Sequence, residues 1–121
     1  MKAFFHSFTY AFQGIAHVFR TQRNARIHLL VSAGVIGAGL LFRVTPVEWA
    51  ILALTMGMVF SAEMINTVAE LAVDLLTQRA HPMAKIAKDV GAGAVLIAAL
   101  AAVAVGLAIF GPRLWALFLE P

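Results

Sequence analysis

The chain has 121 residues, of which 62% are hydrophobic and only 12% charged, and it carries a formal net charge of +3. Its length leaves room for one domain, and so apolar a composition excludes an ordinary soluble protein in favour of one that resides in a membrane. The absence of cysteine excludes a disulfide framework and thiolate metal sites.

Taken along the chain, Phe4, Phe8, Phe12, Ile15 and Phe19 recur at intervals of three and four, with Lys2, His6, Thr9, Gln13, His17 and Arg20 on other faces. This pattern predicts an amphipathic surface helix over about 3–20. Its aromatic residues alternate with polar ones and no small-residue cleavage site follows, so the segment is expected to stay rather than leave as a signal peptide. A first span is expected over about 27–42. His28 and Ser32 are its only polar interruptions, and Arg26 and Arg43 would reach outward to the interfaces. A second is expected over about 47–67, with Pro46 in its first turn, Thr45 as cap and Glu48 near the positive end of the helix dipole. A third, over about 90–110, has the roughly 20 uninterrupted apolar residues that a bilayer core asks for. Gly34, Gly37 and Gly39, and the Ala and Gly steps from Gly91 to Gly106, suit close helix packing within the chain or between subunits. Trp49 and Trp115 fit the outer interfacial belt. One all-α membrane domain over 1–121 follows, a surface helix ahead of three transmembrane helices.

Lys2, Arg20, Arg23 and Arg26 precede the first span and Arg79, Lys85 and Lys88 lie between the second and third, against only Arg43 and Arg113 on the other side. The positive-inside bias therefore places the N-terminus and the second connection in the cytoplasm. Glu63 would lie near the inner hydrocarbon boundary, and Glu70 about 10 Å further along, among head groups or in water.

The second span runs into Glu63, Asn66, Glu70 and Asp74, at steps of three, four and four, which places all of them on one helical stripe. Carboxylates on a membrane helix are costly to desolvate and persist where a charged partner, a metal or a water-filled site receives them. Lys85, Lys88 and Asp89 bring two cations and another carboxylate to the same depth. Such a set suits phosphoryl transfer: carboxylates hold a divalent cation, a lysine adds positive charge, and one carboxylate accepts a proton from the attacking hydroxyl. Other uses of the same residues are a wet helix face, a salt-bridge network joining the second and third helices, a proton-coupled transporter with Glu63 as carrier, or a purely structural assembly protein. No Walker-type loop occurs, and the four histidines lack metal-ligand spacing; His81, before Pro82, reads as a loop residue or cap.

The chain resembles the small prokaryotic diacylglycerol kinase and undecaprenol kinase family of integral-membrane lipid kinases. The resemblance rests on Tyr10-Ala-Phe12-Gln-Gly14, Asn24-Ala-Arg26-Ile27-His28, Pro46-Val-Glu48-Trp49, and most specifically Glu63-x-x-Asn66-Thr67-x-x-Glu70-x-x-x-Asp74 with Ala87-Lys88-Asp89 leading into Ala94-Val95-Leu96. It implies a homotrimer in the bacterial inner membrane with active sites between subunits. It also implies magnesium-dependent transfer of the γ-phosphate of ATP to a lipid alcohol. Glu63 then looks like the general base and Glu70 like a metal ligand. Tyr10, Lys88 and Asp89 resemble nucleotide-binding positions, with Asn66 and Asp74 supporting the site. Gln22 falls where many relatives place a glutamate that shares the metal; it offers a carbonyl oxygen without charge, so weaker metal binding is expected. A second departure, Val68-Ala69, is expected to adjust packing only. The Asn24 to His28 and Pro46 to Trp49 patterns look closer to undecaprenol kinase members than to the diacylglycerol-specific branch.

Overall fold

In the computed structural model, which describes residues 1–119, the chain forms four α-helices: α1 (Lys2–Thr21), α2 (Arg23–Leu41), α3 (Pro46–Leu76) and α4 (Pro82–Leu119). α2, α3 and α4 are each long and apolar enough to cross a membrane. The expected second and third spans are inner portions of longer helices, while the first starts inside α2 and runs one residue past its end at Leu41. Helices stop where backbone partners run out rather than where hydrocarbon ends, and the Arg, Glu and Lys residues flanking the apolar runs are good helix formers. With 31 and 38 residues, α3 and α4 are about 46 and 57 Å long against a hydrocarbon core of about 30 Å, so both project beyond it.

α1 and α2 are separated by Gln22 alone, whose extended backbone (φ −104°, ψ 113°) turns the chain from one helix into the next. Arg26 holds the corner: its Nη1 donates to the carbonyls of Phe19 (3.1 Å) and Arg20 (3.0 Å), which have no partner inside α1. Val18 and Ala25 are buried beside the turn, and Phe19 meets Phe60 of α3 edge to face, with ring centroids 5.6 Å apart. The surface helix is thereby tied to the middle of α3.

At the opposite end, Arg43 takes a left-handed backbone conformation (φ 52°) in the turn between α2 and α3. Thr45 starts α3 as expected. Its Oγ1 accepts from the Glu48 N–H (3.2 Å), while Glu48 Oε2 accepts from the Thr45 N–H (2.8 Å), a reciprocal capping box. The same Glu48 carboxylate receives both arms of Arg113 from α4, at 3.1 and 2.8 Å. Val44, Leu52, Ile109 and Phe110 form the buried cluster beneath it. Trp49 fills a gap that only a glycine leaves open, since a Cβ on Gly39 would lie 2.5 Å from its ring. This tryptophan packs α3 against α2, whereas Trp115 is exposed, as an interfacial residue would be.

Large side chains such as Leu30, Leu54, Ile97 and Leu107 stay exposed along the three spans. That surface is covered by lipid or by neighbouring subunits in a membrane.

The Glu48–Arg113 pair has a double hydrogen bond to lose. Replacing Arg113 with Met should lower the thermal unfolding midpoint in detergent, followed by circular dichroism. Replacing it with Lys should lower the midpoint less, because a lysine keeps the charge and loses the two-armed geometry.

Candidate active site

The polar stripe is one continuous face of α3, and its wetness is graded. Glu63 and Thr67 are buried at 2% and 3% exposure, Asn66 and Glu70 are half-buried, and Asp74 is exposed. Thr67 donates its hydroxyl to the Glu63 backbone carbonyl (2.8 Å), which leaves the Glu63 carboxylate without help from that neighbour. Asn66 Nδ2 reaches Glu70 Oε1 at 3.5 Å, at the outer limit of a hydrogen bond.

Two buried acceptors on this face, Glu63 Oε2 and Asn66 Oδ1, have no hydrogen-bond partner. Buried polar atoms are nearly always paired, so two unpaired ones a turn apart mark a place where something else completes the site. α4 comes close at this point because it presents Gly91. A Cβ there would collide with Asn66 Oδ1, while a Cβ on Gly93 would meet nothing within 4 Å. The two glycines therefore differ: Gly91 sets the approach of α3 and α4, and Gly93 faces outward.

Beyond the buried section, Lys88 Nζ donates to Asp74 Oδ1 (2.7 Å) and joins α4 to α3. This turn lies ahead of the apolar run of α4, and the hydrogen bond to Asp74 holds the Lys88 ammonium above its ordinary pKa range. Asp89 is paired with Lys85 one turn back on α4. An open cavity of about 870 Å³ lies at this hairpin, with Asp74, Arg79, His81, Lys85, Lys88 and Asp89 on its walls. In the sequence, Arg79 bears only on the charge topology, and His81 reads as a loop residue or cap. His81 does cap, since its Nδ1 accepts from the Met83 N–H (3.1 Å), yet it and Arg79 also put nitrogen donors on the cavity wall. Their place in a short connection between two helix ends that carry the charged residues was the available signal.

Gln22 is the hinge residue of the α1–α2 corner, and Tyr10 is exposed on α1 with its ring stacked on His6 (centroids 6.5 Å). α1 approaches the stripe through Phe19 on Phe60, one turn before Glu63. Among the described residues, no group of three or more His, Asp or Glu side chains could by itself hold a metal ion. Glu70 with the Asn66 amide is still a workable donor set for magnesium, which keeps several waters and takes one or two carboxylates beside substrate phosphates. The unpaired Asn66 Oδ1 is one half-turn of its amide away from facing Glu70.

The profile of the family described as prokaryotic diacylglycerol kinase matches residues 9–110. The chain is 42% identical over 114 residues to a Bacillus subtilis (strain 168) protein named undecaprenol kinase, an overlap covering 94% of this chain and 93% of that one. It is 47% identical over 112 residues to a Synechocystis protein named diacylglycerol kinase, covering 92% of this chain and 64% of that longer one.

If Gly91 sets the helix spacing, Gly91→Leu forces α4 away from Asn66. It should cost about 1–3 kcal/mol of stability, as overpacking typically does, whereas Gly93→Leu should cost little in denaturant unfolding of the same protein.

Proposed function

The chain belongs to the prokaryotic diacylglycerol kinase family and is an integral-membrane lipid kinase, and within that family we propose that it transfers the γ-phosphate of ATP to the hydroxyl of undecaprenol. The relatives are kinases, and the proton-coupled transporter reading has no support among them. The observation that carries the catalytic reading is Glu63: a buried carboxylate with an unpaired oxygen, at the end of an apolar span and a few turns from a basic hairpin cavity. A phosphate donor is water-soluble and the acceptor is confined to lipid, so a base serving both belongs at that boundary.

In this reading Glu63 takes the proton of the lipid hydroxyl as its oxygen attacks the γ-phosphorus, and ADP leaves toward the hairpin cavity. Lys88 and Arg79 offset charge on the phosphates, Asp89 and Tyr10 contribute to nucleotide binding, and Asp74 fixes Lys88 through the pair at 2.7 Å. Glu70, with Asn66 beside it, would hold magnesium, and Gln22 would add at most a neutral oxygen. Magnesium, when bound, supplies charge neutralisation at the transferring phosphoryl group.

A single kinase domain over 1–121, assembled as a homotrimer with sites between subunits, belongs to the same proposal. Its support is the pair of exposed glycines on α2: a Cβ on Gly34 or Gly37 would meet nothing within 4 Å, which leaves these positions open to a neighbouring helix. The distribution of Lys and Arg favours the N-terminus and the active site on the cytoplasmic side of a bacterial inner membrane. Undecaprenol is favoured over diacylglycerol by the nearly full-length match to the Bacillus subtilis protein and by the Asn24 to His28 and Pro46 to Trp49 patterns.

Purified protein supplied with magnesium ATP and either lipid should phosphorylate undecaprenol with the higher kcat/KM; the reverse order would assign diacylglycerol. Glu63→Gln keeps the shape and removes the base, so turnover should fall by about 100-fold or more with folding intact, and near-normal turnover would refute the role. Glu70→Ala should raise the magnesium concentration needed for half-maximal rate or abolish activity. An unchanged magnesium titration would argue against ligation by Glu70.

A further inference from the structure

Glu63 Oε2 is the buried acceptor that most needs a donor, and α3 itself provides none. The Thr67 hydroxyl is engaged with the Glu63 backbone carbonyl, and the Asn66 amide N–H points to Glu70. α4 offers nothing better at this level, since its wall there is Ala92, Val95, Leu96 and Ala99. Of the two remaining helices, α1 meets α3 here through the apolar Phe19 ring on Phe60, while α2, whose Asn24 on that wall is exposed, carries one half-buried residue with ring nitrogens.

That residue is His28. It lines a cavity of about 260 Å³ between α2 and α4, shared with Val95 and Ala99, and also a second cavity of about 370 Å³ among all three spans, shared with Thr55 and Val59. Val59 lies one turn before Glu63 on the same face of α3. The imidazole therefore stands where the three spans meet, on the wall of the same cavity as the α3 residue one turn before Glu63.

We propose that His28 is a positioning residue for phosphoryl transfer, its imidazole N–H serving as the donor that Glu63 Oε2 lacks and leaving the other carboxylate oxygen to face the acceptor hydroxyl. The proposal rests on Glu63 acting as the base. A neutral imidazole can donate through one ring nitrogen while the other stays unprotonated, so the interaction adds no net charge to an apolar junction. The two cavities beside the ring leave room for it to turn toward Glu63 as lipid enters.

The test uses full-length purified protein in lipid vesicles: wild type, His28→Ala, His28→Gln and Glu63→Gln, each checked for folding by thermal unfolding and gel filtration. His28→Ala should lower kcat by about tenfold or more while KM for magnesium ATP stays within about twofold, as loss of an interaction at the reacting centre predicts. His28→Gln, which keeps an N–H donor, should retain more activity than His28→Ala, and added imidazole should restore part of the rate to His28→Ala and none to Glu63→Gln. The proposal is overturned if kcat of His28→Ala stays within about twofold of wild type, or if its loss is relieved neither by glutamine nor by imidazole. Either result with an inactive Glu63→Gln sinks only the role of His28. An active Glu63→Gln removes the base itself, and this proposal with it.

Discussion

The structure depends on the antiparallel contact between α3 and α4, fastened at both ends by ion pairs. Glu48 with Arg113 closes one end and Asp74 with Lys88 the other. The separation between the two fastenings is about 39 Å along α3 and about 38 Å along α4 at 1.5 Å per residue, so neither helix slips relative to its partner. Both lengths exceed a hydrocarbon thickness of about 30 Å, which lets each pair sit in or near the head groups, where desolvation is mild. Glu63, about 22 Å along α3 from the Glu48 end, then falls inside the hydrocarbon, past its midpoint on the Asp74 side. The ion pairs act as a ruler that sets the depth of Glu63.

A gradient along α3 follows from that depth. Glu63 and Thr67 are sealed, Asn66 and Glu70 are partly wet, and Asp74 opens onto a cavity lined by Arg79, His81 and Lys85. An ionised carboxylate loses hydration steeply as it moves from such a cavity into hydrocarbon, so the positions differ in the chemistry they suit. Exposed acids and cations can meet a hydrated phosphate, whereas a buried acid can meet a lipid hydroxyl. The division of labour proposed for Glu63, Glu70 and Lys88 follows this order along the helix. Gly91 permits it by letting α4 lie against Asn66 without a side chain between.

Much of this was legible in the sequence because helical periodicity is a local property. Aromatic residues at steps of three and four announced α1, Thr45 with Glu48 announced the start of α3, and steps of three, four and four put Glu63, Asn66, Glu70 and Asp74 on one stripe. The helix lengths were less legible. Hydrophobicity marks where hydrocarbon lies, but backbone hydrogen bonding continues through polar flanks, so α3 runs to Leu76 and α4 begins at Pro82. The family could be recognised from motifs without knowing any of these distances.

Pairwise partners were beyond reach of a one-dimensional pattern. Asp89 pairs with Lys85 four residues back, as helical spacing allows, whereas the Lys88 bond to Asp74 of α3 crosses between helices and no spacing announces it. Gly91 and Gly93 read alike, yet only Gly91 touches α3; Trp49 read as an interfacial anchor and packs on Gly39. The chain by itself determined that there are three spans, a surface helix and an acidic stripe, since each is written in local composition and period. Only the tertiary structure decided which residues face one another across helices and how deeply each is buried, because these depend on helix register and on side-chain volumes contributed by segments distant in the chain.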